Sequence, residues 1–95
     1  MKYGMIPSRD GRKVLAVLLA SYVIEDNHPW RVVSTIAART DKMTEEYVED
    51  HLEALVTAGY AVKRQSMDTV TFERSGPFEY SITGAGIHVG LGVLG

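Results

Sequence analysis

The segment between Thr44 and Ala58 carries five acidic residues and no lysine or arginine. Glu46, Asp50 and Glu53 are spaced at i, i+4 and i+7, which places them in one row if the segment is helical. Carboxylates accept hydrogen bonds from cationic side chains, and one of them can also accept from the N4 amino group of cytosine. The chemistry that this segment offers is charge recognition.

The basic residues lie in two other parts of the chain. Residues 1–43 hold seven Lys and Arg against four acids, and residues 59–95 hold three of each kind. The net charge of the whole chain is −2, which argues mildly against nucleic-acid binding because nucleic-acid binders are usually basic. The uneven distribution predicts a polarised surface.

Other kinds of site are not indicated by the residue types. The absence of cysteine excludes a disulfide scaffold, a thiolate zinc finger and a cysteine nucleophile. His28, His51 and His88 lack the spacing and the carboxylate companions of a metal site. Residues 90–95 match G-x-G-x-x-G by letter, but a dinucleotide site needs a preceding strand, a following helix and a distant acid, and we do not expect one here. We expect no enzymatic activity, no metal and no cofactor.

Length and composition predict a single domain. The 95 residues, 45% hydrophobic and 23% charged, fit one globular unit over 1–95, with a core at about 10–88 and a Gly-rich tail at 89–95. The apolar run from Val14 to Ile24 is too short to span a bilayer, and charged residues occupy the place of a signal peptide's apolar stretch. We expect a cytoplasmic protein.

Hydrophobic periodicity predicts three helices, at 11–26, 30–39 and 44–58. Ser8 or Asp10 can cap the first helix, Thr44 can cap the third, and Gly59 suits its left-handed C-terminal position. Pro29 fits the first turn of the second helix. The apolar residues that define the inward faces are Leu15, Leu18, Leu19 and Tyr22 in the first helix, Val33, Ile36 and Ala37 in the second, and Val48, Leu52, Leu55 and Val56 in the third.

After Gly59 the pattern changes to the alternation of strands. We predict strands at 60–65, 69–74 and 78–82, with the first two joined by a short polar connection at 66–68. The tail from Gly84 is ambiguous, because it fits either a helix capped by Thr83 or an alternating strand, and its glycines weaken both.

Three helices with a short turn between the second and third, followed by a β-hairpin, resemble the winged helix-turn-helix superfamily of transcription regulators. The likeness is to the MarR-, PadR- and ArsR-like groups, in which the recognition helix ends in Leu-x-x-Leu-x-x-x-Gly and the wing returns through Tyr-x-Leu-Thr-x-x-Gly. The matching residues are Ile36, Ala37, Thr44, Val48, Leu52, Leu55, Gly59, Tyr60, Ala61, Val62 and the run Tyr80-Ser81-Ile82-Thr83-Gly84-Ala85-Gly86.

The resemblance implies an α+β winged helix-turn-helix fold: a three-helix core, a wing of two or three strands and a short C-terminal segment. It also implies a DNA-binding transcription regulator that reads double-stranded DNA with helix 44–58 and the wing. The residues expected to contact DNA are Arg39, Lys42, Thr44, Tyr47, His51, Lys63, Arg64 and Arg74.

The acidic third helix leaves a second hypothesis open. Glu46, Asp50 and Glu53 can form an acidic face that binds a basic protein partner, in a protein–protein interaction module without direct DNA binding. A positive groove spanning the third helix and the wing favours DNA, whereas a continuous acidic face there favours protein. Separately, the nearly all-round apolar first helix and the apolar tail predict a homodimer through helix 11–26 and the C-terminal segment.

Overall fold

The computed structural model describes residues 7–24 and 29–94. The helices and strands follow one another along the chain as α1 (Arg9–Ile24), β1 (Arg31–Val32), α2 (Val33–Arg39), α3 (Glu45–Thr57), β2 (Ala61–Gln65), β3 (Phe78–Ile82) and α4 (Gly84–Leu94). The α+β class expected from the sequence is therefore confirmed. No helix in these ranges combines the length and the apolar character that crossing a membrane requires.

The first helix begins at a side-chain cap. Ser8 is the cap, since its Oγ accepts a hydrogen bond from the Gly11 N–H at 3.1 Å. The inward face runs through Leu15, Leu18 and Leu19, but it ends earlier than expected, because Tyr22 is 44% exposed. The predicted last two residues of this helix, 25 and 26, lie outside the described residues.

The second helix begins later than predicted. Arg31 and Val32 are extended and pair antiparallel with β3, so Arg31 lies opposite Tyr80 and Val32 opposite Glu79. Pro29 therefore precedes a strand rather than opening a helix, and the prediction of helix from residue 30 was wrong. A strand this short has no readable alternation, and its partner is distant in sequence.

The sheet has the order β1-β3-β2 and is antiparallel throughout. The predicted strand at 69–74 is wrong, as is the short hairpin connection at 66–68, because β2 pairs with β3 and residues 66–77 form the hairpin loop. Asp68 Oδ1 accepts hydrogen bonds from the N–H groups of Val70 and Thr71, at 2.7 and 3.3 Å, which folds the segment into a turn. Val70 and Phe72 alternate in sequence but face no partner strand, and they are 83% and 76% exposed.

The core lies between α1, α2 and α3 on one side and the sheet on the other. It is closed by α3, whose N-terminal cap at Thr44 and left-handed Gly59 at φ 87° are as predicted. The fully or nearly fully buried apolar residues are Val14, Leu15, Leu18, Leu19, Ile36, Ala37, Val48, Leu52, Leu55, Tyr60, Ala61, Tyr80 and Ile82.

The C-terminal segment is a helix, which resolves the ambiguity of the tail. Thr83 Oγ1 accepts the Gly86 N–H at 3.0 Å and donates to the Gly59 carbonyl at 2.7 Å, so it caps α4 and fastens it to the end of α3. A Cβ at Gly86 would collide with the Tyr60 carbonyl oxygen. Glycine at this position permits close packing, although glycine generally weakens a helix.

Candidate functional site: the two flanks of the third helix

The outer face of α3 is directed away from the core. Val48, Leu52 and Leu55 are at most 3% exposed, so the opposite face carries Glu46 and Asp50. Thr44 Oγ1 accepts the Tyr47 N–H at 3.2 Å and fixes the first turn. These contacts leave two flanks of α3 available, one towards the start of α2 and the sheet, and one towards α1.

On the first flank, an open groove of about 840 Å³ lies between α3, the start of α2 and the start of β3. We call it the acidic groove, because its ionisable lining residues are all carboxylic acids. No lysine, arginine or histidine of the described chain lines it. Its lining residues are Val32, Val33, Ser34, Glu45, Glu46, Glu49, Asp50, Pro77 and Phe78.

On the second flank, α3 contacts the beginning of α1. The Tyr47 hydroxyl donates a hydrogen bond to Asp10 Oδ2 at 2.5 Å, and the His51 ring meets the Tyr47 ring edge-on with centroids 4.6 Å apart. The bond lowers the pKa of the Asp10 carboxyl and raises the pKa of the Tyr47 phenol. Electrostatic attraction to Lys13, His51 and Arg9 also lowers the Asp10 pKa, so these side chains lie close to the contact.

The cations around this contact extend to the turn between α2 and α3. Lys13 and Arg39 line a second groove of about 380 Å³, together with Thr40 and Asp41. Lys42 follows directly in the turn, at φ 59°, and is exposed. We call this surface the basic flank. Its four cations, accompanied by the acids Asp10 and Asp41, are Arg9, Lys13, Arg39 and Lys42.

The hairpin cations are engaged within the protein. Lys63 Nζ lies 2.9 Å from the Glu53 carboxylate, and Arg64 Nε lies 2.7 Å from Glu79 Oε1. The Arg64 guanidinium also stacks over the Trp30 ring, 4.0 Å from its centroid. Two of the eight expected DNA contacts are therefore held by acids of the chain itself.

Arg74, at the end of the hairpin loop, is also held within that loop. It donates from Nη1 to the Gln65 carbonyl at 3.1 Å. Because its partner is a neutral carbonyl, its charge is not offset by an acid in this contact. Arg74 thus differs from Lys63 and Arg64, which hold carboxylates.

Glu53 does not share the environment of the other α3 acids. The Tyr80 hydroxyl donates to Glu53 Oε2 at 2.6 Å, and this bond, followed by the contact with Lys63, lowers the pKa of the Glu53 carboxyl. The same contact and, above all, burial raise the pKa of Tyr80. The expected row of Glu46, Asp50 and Glu53 is thus divided, because Glu53 is turned towards the sheet while the other two line the acidic groove.

Four of the remaining expected DNA contacts make interactions within the protein. Thr44 is occupied as the α3 cap, Tyr47 and His51 contact each other, and Arg39 donates from Nη1 to Ser21 Oγ at 3.4 Å.

The residues that sequence reasoning did not include lie on both surfaces beside α3. Arg9 and Lys13 join the basic flank, and Glu45, Glu49, Val32 and Phe78 join the acidic groove.

Comparison with protein-family models, with curated proteins and with solved structures found no match to this chain. Function is therefore inferred from the chain's own layout and charges. Within the described residues, the basic flank and the acidic groove are open surfaces on the two sides of α3.

Proposed function

We propose that this chain is a DNA-binding transcription regulator of the winged helix-turn-helix type, and that it binds duplex DNA as a homodimer. The observation that supports the proposal is the basic flank. It gathers four cations around the α2–α3 turn and the beginning of α1, at the N-terminal end of the helix that the fold would present to a DNA groove. The order of α2, turn, α3 and antiparallel hairpin agrees with that fold.

The charge distribution favours an approach in which the edge of α3 next to the basic flank, rather than its outer face, meets DNA. Phosphate contacts contribute much of the affinity of DNA-binding proteins, and they require cations at the surface that meets the backbone. The basic flank provides them, whereas Glu46 and Asp50 on the outer face repel phosphates. We therefore infer that α3 approaches the groove with its Tyr47 and His51 edge leading.

The hairpin has a smaller role in this proposal than the family resemblance implies. Lys63 and Arg64 would have to exchange their bonds with Glu53 and Glu79 for phosphate contacts. Such an exchange gains less than the binding of a cation that holds no acid. Arg74 is the hairpin cation that remains for DNA, and Lys42 is its counterpart on the basic flank.

Dimer formation is supported by exposed apolar residues on α1 and α4, two helices that contact each other. Val23 and Ile24, at the end of α1, are 66% and 76% exposed, and Leu91 on α4 is 59% exposed. The two helices lie side by side, with Gly90 against Leu19. A second copy covering this surface would place two α3 helices in one particle, as a regulator with two half-sites requires.

The test is duplex DNA binding across a salt series, with oligomeric state measured by light scattering on the same sample. Anisotropy of a labelled duplex of mixed sequence is followed between about 50 and 200 mM salt. The logarithm of the association constant should fall linearly with the logarithm of salt, with a slope of about −0.9 for each phosphate neutralised. No measurable affinity at the lowest salt, or a slope near zero, would contradict DNA binding.

The dimer has its own test. Ile24→Glu places a charge on a side chain that is already exposed in one copy, so folding of the chain should be preserved while the dimer dissociates. Lys13→Gln, also an exposed α1 position, is the control that should leave the particle mass unchanged. A monomeric mass for the unmodified chain over the micromolar range would refute the homodimer.

A further inference from the structure

We propose that the acidic groove docks a basic segment of a protein partner that also carries an aliphatic or aromatic side chain. This surface is separate from the basic flank, and the inference does not depend on DNA binding. It is supported by two features of the groove that match one kind of ligand: carboxylates along α3 and apolar side chains opposite them.

The α3 wall presents only negative charge. Glu45, Glu46, Glu49 and Asp50 are all exposed, and no lysine or arginine of the described chain lines the groove. Lys63, whose Nζ lies 4.9 Å from the centroid of the Phe78 ring, is held by Glu53. Glu53 is the contrasting case, because Lys63 and Tyr80 already hold its carboxylate. The groove acids therefore offer acceptors for guanidinium and ammonium groups, which bind carboxylates through charge-assisted hydrogen bonds.

The opposite wall is apolar. Phe78 is 43% exposed, and Val32 and Val33 are half-buried beside Pro77. A partner side chain inserted here removes apolar surface from water, which stabilises a complex by about 25 cal/mol per Å². A purely polycationic ligand would leave this wall uncovered, so the groove favours a segment in which cations and apolar residues alternate.

Other occupants fit the groove less well. The described residues include no group of three or more metal-ligating side chains that could hold an ion. Duplex DNA would bring phosphates against the four carboxylates, which is unfavourable without compensating cations. An extended peptide spaces its cations along its length, and it matches acids that are spread over two turns of a helix.

The test uses a short fluorescent peptide of alternating arginine and leucine, with anisotropy as the readout and the full chain as the binder. The triple variant Glu46→Gln, Glu49→Gln, Asp50→Asn should weaken binding by about tenfold, since each exposed ion pair contributes about 0.2–1 kcal/mol. Single Glu49→Gln is matched with Glu73→Gln, the same change on the exposed hairpin loop. Only the former should lower affinity.

Two further measurements separate groove binding from general charge attraction. Ser34→Arg places a cation in the groove from an exposed α2 position, and it should weaken peptide binding about as much as the triple variant. A peptide with citrulline for arginine should bind weakly, and one with serine for leucine should also lose affinity. Equal binding of these peptides, or equal losses from Glu49→Gln and Glu73→Gln, would overturn the proposal.

Discussion

The basic flank and the acidic groove lie beside the same helix, α3, but have opposite charges. The first gathers Arg9, Lys13, Arg39 and Lys42 from α1, the end of α2 and the α2–α3 turn, and the second gathers four carboxylates from the first turns of α3. The net charge of −2 averages the two surfaces and describes neither. Under the two proposals, α3 faces a partner of one charge on one flank and a partner of the opposite charge on the other.

A second contrast exists among the α3 acids themselves. Glu53 supports the fold, because it joins α3 to β2 through Lys63 and to β3 through Tyr80. Glu46 and Asp50 line open solvent in the acidic groove. Three carboxylates at helical spacing therefore have different roles. Glu53 stabilises the fold because β2 and β3 place partners opposite it, whereas Glu46 and Asp50 stay exposed.

Reversing the charge of the basic flank should have the largest effect on DNA binding. Lys13→Glu combined with Lys42→Glu should lower duplex affinity by about a hundredfold at low salt and reduce the salt slope by about 2. Anisotropy across the salt series measures both quantities. The neutral pair Lys13→Gln and Lys42→Gln should give an intermediate loss. Unchanged affinity in the double reversal would remove the basic flank from the DNA interface.

Replacing two of the four groove carboxylates by lysine removes the net negative charge of the acidic groove and so weakens its contrast with the basic flank. Glu46→Lys with Asp50→Lys should raise duplex affinity by about tenfold, because repulsion from phosphates is replaced by attraction. The same variant should lose affinity for the arginine–leucine peptide. Titration with each ligand separates the two surfaces, and an unchanged DNA affinity would mean that the outer face of α3 lies far from DNA.

The different roles of Glu53 and the groove acids should appear in the free energy of unfolding and in its pH dependence. Glu53→Gln should lower the free energy of unfolding by about 1 kcal/mol, since the Tyr80 hydroxyl and Lys63 lose a charged partner. Glu49→Gln, the same change in the acidic groove, should leave it nearly unchanged. Urea denaturation measures both, and equal losses would contradict the assignment of Glu53 to the fold.

The direction of the pH effect follows from the lowered pKa of Glu53. Its folded-state pKa lies below the ordinary value of 4.5, so its contribution to stability is present above that pH and is lost as the pH falls through the folded-state value. Tyr80→Phe removes the main cause of the shift. Its stability should therefore fall less on acidification than that of the unmodified chain. A parallel fall in both proteins would show that the Tyr80 bond does not shift the Glu53 pKa.

The sequence predicts well the features that depend on neighbouring residues. The caps at Ser8 and Thr44 and the left-handed Gly59 were recognisable because each depends on side-chain and backbone chemistry within a few residues. The strand β1 was missed because its partner β3 is distant in sequence, and the predicted strand at 69–74 was wrong because β3 pairs with β2 instead. Alternation at Val70 and Phe72 indicates a strand only where another strand accepts its hydrogen bonds.

The candidate site was also predictable only where it depends on residues close together in the sequence. Helical spacing was sufficient to place Glu46 and Asp50 on one exposed face. It did not reveal that Tyr80, 27 residues further along, holds Glu53, or that α1 brings Asp10 to Tyr47. The apolar wall of the acidic groove likewise comes from β1 and the start of β3, which meet α3 only in three dimensions.

A comparison of Arg74 with Lys42 tests whether DNA reaches from the basic flank to the hairpin, and its expected effect is the smallest. Arg74→Glu and Lys42→Glu change the net charge equally, but we expect the former to lower duplex affinity by no more than about threefold and the latter by about tenfold. The difference follows from position, because Lys42 lies in the turn before α3 whereas Arg74 donates to Gln65 within the hairpin loop. Parallel salt titrations of the two variants measure it. Equal losses would mean that DNA extends across the acidic face of α3 to the hairpin, and the two flanks would then form one interface.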